Sequence, residues 1–360
     1  MRYGDGSFSG YKQPCLTDPM PANSMKTYQI PNTDLTVSRI GYGCNQLIHK
    51  NQDPYAPDIL ARAEKLICAA RDQEINLFDM AAMYSDGKVE MVFGNVLKRS
   101  PQLRREVVVQ TKCGAVDHPN AFQVGTAAFR FDCSSEGILR SVEGSLNRLA
   151  VDRIDILLLH WPDLLLRPEE VAEAFDKLHR DGKVRYFGVS NHTPGQMALL
   201  TRYVRQPIVI NQIYLGLADS YPIAAGIEQL SKWSTRLPEG YASLAGVVDY
   251  CRLNDIQLQA YQPVGGIIRY KLLAPPPLSS PELTTASNLL HALAKQKNTT
   301  PIALAMAWLL HHPANILPLT GASTPEHIIE SCSADRVTMS RDEWFNLFFA
   351  TAAALARKAT

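Results

Sequence analysis

The feature that most limits what this chain can become is an alternation. A short apolar run is followed by a longer stretch with helical spacing, and the pair recurs eight times. The runs are Ser38–Cys44, Ile75–Asp79, Glu106–Lys112, Asp155–His160, Val184–Val189, Pro207–Gln212, Gln257–Tyr261 and Ile316–Thr320. Between them lie patterns such as Asp58–Asp72, where Ile59, Ala63, Leu66, Ile67 and Ala70 share one helical face. The punctuation agrees. Ser134 and Ser135 offer a cap before the stretch that ends at Leu149, Pro168 is followed by Glu169 and Glu170, Asp181-Gly182 is a stop, and Thr324 precedes Pro325. The apolar run before His160 suits a strand covered on both faces. Strands alternating with helices predict an α/β fold with a parallel sheet. Eight such units predict closure into a (β/α)8 TIM barrel, with an additional C-terminal helix from about Arg341.

A doubly wound sheet is the rival. It normally carries a glycine-rich phosphate loop after its first strand. Here Gly41-Tyr42-Gly43 lacks the third glycine, and Asn45-Gln46-Leu47 does not read as a helix start. With 360 residues the chain is long enough for one barrel, expected over residues 25–360. Residues 1–24 hold Gly, Pro, Ser and Asn without an apolar h-region, and a flexible extension is expected there rather than a signal peptide.

Charge narrows the partners. Lys and Arg total 36 against 35 Asp and Glu, a net charge of +1, and no basic stripe is visible. Neither nucleic acid nor an anionic membrane is an expected partner. The apolar runs at Ile302–Leu310 and after Trp344 are shorter than the roughly 18 residues of a membrane span. The 7 cysteines are odd in number, widely spaced and free of C-x-x-C, so a reducing cytoplasm is expected and a disulfide framework is not. No metal is expected either: His160 stands alone, and His311-His312 falls at a helix end.

A barrel enzyme builds its site at the C-terminal ends of its strands. Those ends are unusually polar here. The second ends in Asp79 with Tyr84 shortly after, the third in Lys112, and the fourth in His160. The fifth ends in Ser190-Asn191, the sixth in Asn211-Gln212, the seventh in Tyr261, and the eighth in Thr320-Gly321. Singly, each has an ordinary explanation as a capping, packing or surface group. Convergence on one rim gives them a chemistry. A phenol is a poor acid near neutrality, with a pKa of about 10. An ammonium beside it stabilises phenolate and is expected to lower that pKa. Asp79 would hold Lys112 in place, His160 would orient a carbonyl, and Tyr84 would protonate the oxygen as charge develops on it.

At this point the sequence resembles the aldo-keto reductase family, close to its small bacterial oxidoreductases. Phe78-Asp79-Met80-Ala81-Ala82-Met83-Tyr84 looks like the family's F-D-x-A-x-x-Y motif. Thr111-Lys112 looks like its lysine strand, and Leu158-Leu159-His160-Trp161-Pro162 like its histidine motif. Gly182-Lys183-Val184-Arg185 and Gly188-Val189-Ser190-Asn191 resemble two further segments, in the family's order.

The resemblance implies an oxidoreductase that reversibly reduces an aldehyde or ketone, a sugar or other small carbonyl, to an alcohol. Its cofactor would be NADP(H), with NAD(H) as the alternative. Asp79, Tyr84, Lys112 and His160 match the catalytic tetrad. By the same carry-over Ser190, Asn191 and Gln212 would meet the nicotinamide carboxamide, and Tyr261 would stack on its ring. Gln262, Pro263, Val264 and Gly265 would follow the pyrophosphate, and Cys44-Asn45 would approach the nicotinamide end. Gly321, Ala322, Ser323, His327, Glu330 and Ser331 would meet the adenosine half. That last segment holds no Lys or Arg, the usual partners of a 2′-phosphate. Met83, Trp161 and Tyr214 are candidate pocket residues, and the segment 215–241 is a candidate lid. A cofactor-binding regulatory subunit with little turnover, like potassium-channel β subunits, and a hydrolase or lyase barrel are the alternatives.

Overall fold

The computed structural model describes residues 24–117, 129–224, 244–274 and 277–356. Twelve strands are present among them: β1 (Thr27–Gln29), β2 (Thr36–Ser38), β3 (Gly41–Gly43), β4 (Leu77–Asp79), β5 (Val108–Cys113), β6 (Ala115–Asp117), β7 (Phe129–Phe131), β8 (Ile154–Leu159), β9 (Val184–Ser190), β10 (Ile208–Tyr214), β11 (Gln257–Tyr261) and β12 (Leu317–Thr320). Eight of these, β3, β4, β5, β8, β9, β10, β11 and β12, close in that order into a parallel barrel. The expected barrel is thus the observed one. The continuous apolar runs are its walls: every residue of β5, β8 and β10 is buried.

The helices follow their punctuation. Ser134, not Ser135, caps Ser135–Leu149 by accepting from the Gly137 N–H. Thr193 and Gln196 form a reciprocal capping box before Pro194–Thr201. Thr300 and Thr324 cap Pro301–Leu310 and Pro325–Cys332. The terminal helix Arg341–Ala356 packs on this layer through Trp344, whose ring stacks 4.5 Å from that of Trp308. The two indole N–H groups each donate to the other residue's carbonyl, at 3.1 and 3.0 Å.

Two hairpins were not expected from the sequence. One pairs β6 with β7 above the third barrel strand. The other, β1–β2, splits the single run predicted at Ser38–Cys44. Ser38 ends β2, Gly41 begins β3, and Cys44, expected at the strand's end, instead opens a short 3-10 turn, Cys44–Gln46. The hairpin buries Ile30, Leu35 and Val37 against Leu77, Val108, Ile156, Ile210 and Leu317, at the strands' N-terminal ends. It therefore closes the barrel's floor. Above that apolar floor the interior turns polar, with Gln110, Gln212, Gln259, Asp79 and Lys112 all buried.

The expected extension 1–24 lies outside the described residues except for Ser24, and the candidate lid lies outside them from residue 225. Its described start is a tight Gly216–Asp219 turn followed by the helix Tyr221–Ala224. Among the described residues no helix is long and apolar enough to cross a membrane.

Candidate active site

The parallel register delivers the reactive side chains to one rim. Gly43 is paired with Asp79, and Asp79 with Gln110, so that Lys112, two residues further along β5, projects from the same face beside Asp79. Lys112 Nζ lies 2.8 and 2.7 Å from the two Asp79 carboxylate oxygens and 2.7 Å from the Met80 carbonyl. Its remaining proton goes to Tyr84 Oη at 3.3 Å. With one proton shared between the two Asp79 oxygens, all three ammonium protons are used. Because the phenol oxygen accepts from Lys112, its own proton is free to point into the cleft.

The turn that carries Tyr84 is strained. Ser85 and Asp86 have φ of 48° and 58°, and Gly87 follows at 83°. Such backbone needs outside support. Ser85 Oγ donates to the Ile48 carbonyl at 3.0 Å, and Lys88 Nζ donates to the carbonyls of Lys50 and Gln52 at 2.7 and 2.9 Å. His160, immediately after β8, turns its ring edge-on to Tyr84 with centroids 5.7 Å apart. Trp161 stacks against it at 5.9 Å.

Burial sets the protonation states. It pushes the Tyr84 phenol above its ordinary range, against the pull of the Lys112 ammonium. This corrects the expectation that the ammonium would leave the phenol more acidic than usual: the ammonium acts in that direction, and desolvation outweighs it. Burial also pulls Lys112 down, but the Asp79 carboxylate and then Tyr84 raise it further, so it stays charged. Burial and the nearby ammonium hold His160 well below its usual range, so its imidazole is neutral at neutral pH.

A cleft of about 440 Å³ opens over Asp79 and Tyr84. It passes Gly43, Asn45 and Gln46, runs along Tyr261, Gln262, Pro263, Val264 and Gly265, and reaches Gly321, Ala322, Ser323, His327 and Ser331. Ser190, Asn191 and Gln212 sit together beside it. Ser190 Oγ donates to the Gln212 backbone carbonyl at 2.8 Å, and Asn191 Nδ2 donates to Ser190 Oγ at 2.9 Å and to the His160 backbone carbonyl at 3.2 Å.

Three sequence expectations change here. Cys44 is fully buried in the core, so its thiol is not on the cleft surface; Asn45 and Gln46 take that position. Glu330 does not line the cleft, because His327 and Ser331, four apart, share the helix face that does. Tyr214 is buried rather than open to substrate. Its hydroxyl donates to Asp219 at 2.7 Å and also meets the Arg269 guanidinium. Met83 and Trp161 remain half-buried at the rim.

Gln110 and Gln259 were not singled out from the sequence, yet both are buried in the polar interior and hydrogen-bonded to the site. The available signal was register: Gln110 lies two residues before Lys112, and Gln259 two before Tyr261, each on the same strand face as that site residue. A larger crevice, about 940 Å³, opens at the opposite end of the barrel. Among its charged residues Arg104 meets Asp155 at 3.0 Å and Arg185 meets Asp34 and Asp155.

A model of the aldo/keto reductase family matches residues 39–347. An uncharacterised oxidoreductase of Bacillus subtilis, YcsN, is 33% identical over 88% of this chain and 95% of its own length. A 6-dehydroglucose reductase of Agrobacterium fabrum is 32% identical over 87% of this chain and 94% of its own. The solved glycerol dehydrogenase of Gluconobacter oxydans superposes with a TM-score of 0.72 at 25% identity, covering 92% of this chain and 96% of that one.

Proposed function

The chain belongs to the aldo/keto reductase family, an oxidoreductase family, and from that premise we propose that it reversibly reduces a small aldehyde or ketone to an alcohol. Tyr84 gives the proton, and a nicotinamide dinucleotide, NADPH or NADH, serves as the reductant. The observation that carries this reading is the chain Asp79–Lys112–Tyr84, with contacts of 2.7 and 3.3 Å, ending on a phenol that lines the cleft. The names of two relatives, a reductase of 6-dehydroglucose and a glycerol dehydrogenase, support a hydroxylated, sugar-like substrate. The same reading takes residues 25–360 as a single barrel domain.

The residues present suit such a dinucleotide. The cleft is elongated, with reactive groups at one end and the capped start of Pro325–Cys332 at the other. Ser190, Asn191 and Gln212 would hold the carboxamide, Tyr261 would cover the ring, and Gln262–Gly265 and Gly321–Ser323 would follow the phosphates and adenosine. When bound, the reduced nicotinamide supplies a hydride to the carbonyl carbon.

The chain's own residues do the rest. Neutral His160 donates to the carbonyl oxygen and fixes its direction. As that oxygen gains negative charge, Lys112⁺ lies one contact behind the phenol and stabilises the phenolate left when Tyr84 gives up its proton. Asp79 keeps the ammonium aimed. In the reverse direction the phenolate takes the proton back.

The test is to mix the protein with NADPH or NADH and follow loss of nicotinamide absorbance over aldehydes, ketones and sugars. Turnover is expected with at least one. Tyr84→Phe is expected to lose most of kcat while NADPH still quenches tryptophan fluorescence. Turnover near wild type in that variant refutes Tyr84 as the donor.

A further inference from the structure

Inside the barrel, below the rim, three glutamines form a closed set of hydrogen bonds. Gln110 Nε2 donates to Asp79 Oδ1 at 2.6 Å and to Gln259 Oε1 at 2.8 Å. Gln259 Nε2 returns a bond to Gln110 Oε1 at 3.0 Å. Gln212 Nε2 donates to Asp79 Oδ1 and to Gln259 Oε1, both at 3.0 Å. Each of the three side chains is at most 1% exposed.

The proton count makes this set directional. A primary amide has two N–H bonds, and Gln110 and Gln212 have both committed. Turning either amide over would aim a carbonyl at the Asp79 carboxylate and at another carbonyl, at buried sites where unmade bonds are costly. Gln212 therefore has only its carbonyl oxygen left to offer a ligand. One layer lower, the same barrel interior is filled by Leu77, Val108, Ile156 and Ile210. Packing alone does not call for amides here.

We propose that Gln110 and Gln259 are positioning residues for the reduction. Their interlocked amides hold Asp79 Oδ1 in line with Lys112 and fix Gln212 with its carbonyl as the group presented to the cofactor. The inference rests on the reading of Asp79, Lys112 and Tyr84 as the proton-delivering unit and of Gln212 as a cofactor contact. It adds a link between the two: the acid and the cofactor contact share one hydrogen-bonded frame.

The experiment uses the full chain with Gln110→Glu and Gln259→Met, their melting temperatures measured alongside. Gln110→Glu brings a second carboxyl to hydrogen-bond distance of Asp79, and two carboxyls so close share a proton. The pH profile of kcat is expected to gain an ionisation that wild type lacks. Gln259→Met removes one of the two acceptors that hold the Gln212 amide, and NADPH binding, read by fluorescence titration without substrate, is expected to weaken about five- to tenfold. Should either variant fail to fold, Gln110→Asn or Gln259→Asn, which withdraws the amide by one methylene, is read on the same measurement. For Gln110→Asn the sign is a shifted kcat profile. A folded position-110 variant with the wild-type profile, or a folded position-259 variant with wild-type NADPH affinity, overturns the proposal. Tyr84→Phe separates the two failures. If it retains turnover, the proton-donor reading fails; if it is inactive while the glutamine variants behave as wild type, only this inference does.

Discussion

The hydroxyl of Tyr261, at the end of β11, donates to Asn191 Oδ1, just past the end of β9, at 3.0 Å, and so spans the intervening strand β10. Asn191 has a φ of 61°, a left-handed conformation that asparagine tolerates better than most residues. Ring and amide hold each other at the cleft wall. Tyr261→Phe keeps the ring and frees the amide. About 1 kcal/mol of hydrogen bond is lost, and the NADPH Kd is expected to rise about fivefold. Tyr261→Ala removes the ring as well and is expected to weaken binding further. A fluorescence titration of both variants checks the order.

None of the residues lining the described cleft is Lys or Arg, and the end proposed for adenosine carries His327. With no fixed cation in that lining for a 2′-phosphate, the ratio of NADH to NADPH Kd is expected to be within about tenfold of unity. His327→Arg supplies a guanidinium and is expected to shift the ratio about tenfold toward NADPH. A ratio that does not move shows that the 2′-phosphate is held elsewhere.

On the proposed reading, reduction needs the Tyr84 phenol protonated. Burial raises Tyr84 above 10.0, and His160 is held neutral from well below 6.5. The kcat for reduction is therefore expected to stay level from about pH 6 to about pH 9. The reverse oxidation, which needs phenolate, is expected to climb across the same interval. A bell centred on neutral pH in the reduction profile contradicts both assignments.

Buried neutral histidines also govern acid stability. His192 is pushed down to about 4 by burial, its Nδ1–H faces the Ser190 carbonyl at 2.8 Å, and its Nε2 has no hydrogen-bond partner among the described residues. The unfolded chain takes up a proton below about pH 6.5, and the folded chain resists until about pH 4. Stability is therefore full above pH 6.5 and falls on acidification. His192 alone accounts for about 2 kcal/mol between pH 7 and pH 5. Denaturation of His192→Phe at the two pH values is expected to show a drop smaller by that amount, whatever its absolute stability.

The barrel was legible because strands such as β8 leave a continuous apolar run and helices such as Ser135–Leu149, Pro194–Thr201, Pro301–Leu310 and Pro325–Cys332 carry a capping Ser or Thr. The rim was legible because Asp79, Tyr84, Lys112 and His160 are polar where neighbouring strand residues are apolar. The floor was not. Residues Thr27–Ser38 are too short and mixed to announce a hairpin, and their burial depends on strand ends far along the chain. Gln110 and Gln259 were missed because a glutamine in a strand is unremarkable until register shows which face it takes. Tyr214 was misplaced for the converse reason: its position beside the rim is local, but the Arg269 that joins Asp219 in drawing it in lies far along the chain and becomes a neighbour only on folding.

The hairpin that packs Ile30, Leu35 and Val37 into the barrel's base makes the barrel a cup rather than a tunnel. On the proposed reading, substrate and dinucleotide share that one mouth. A molecule lying along the wall beneath a second has to arrive before it and wait for it to depart, so the order of traffic is written into the stopper at the far end.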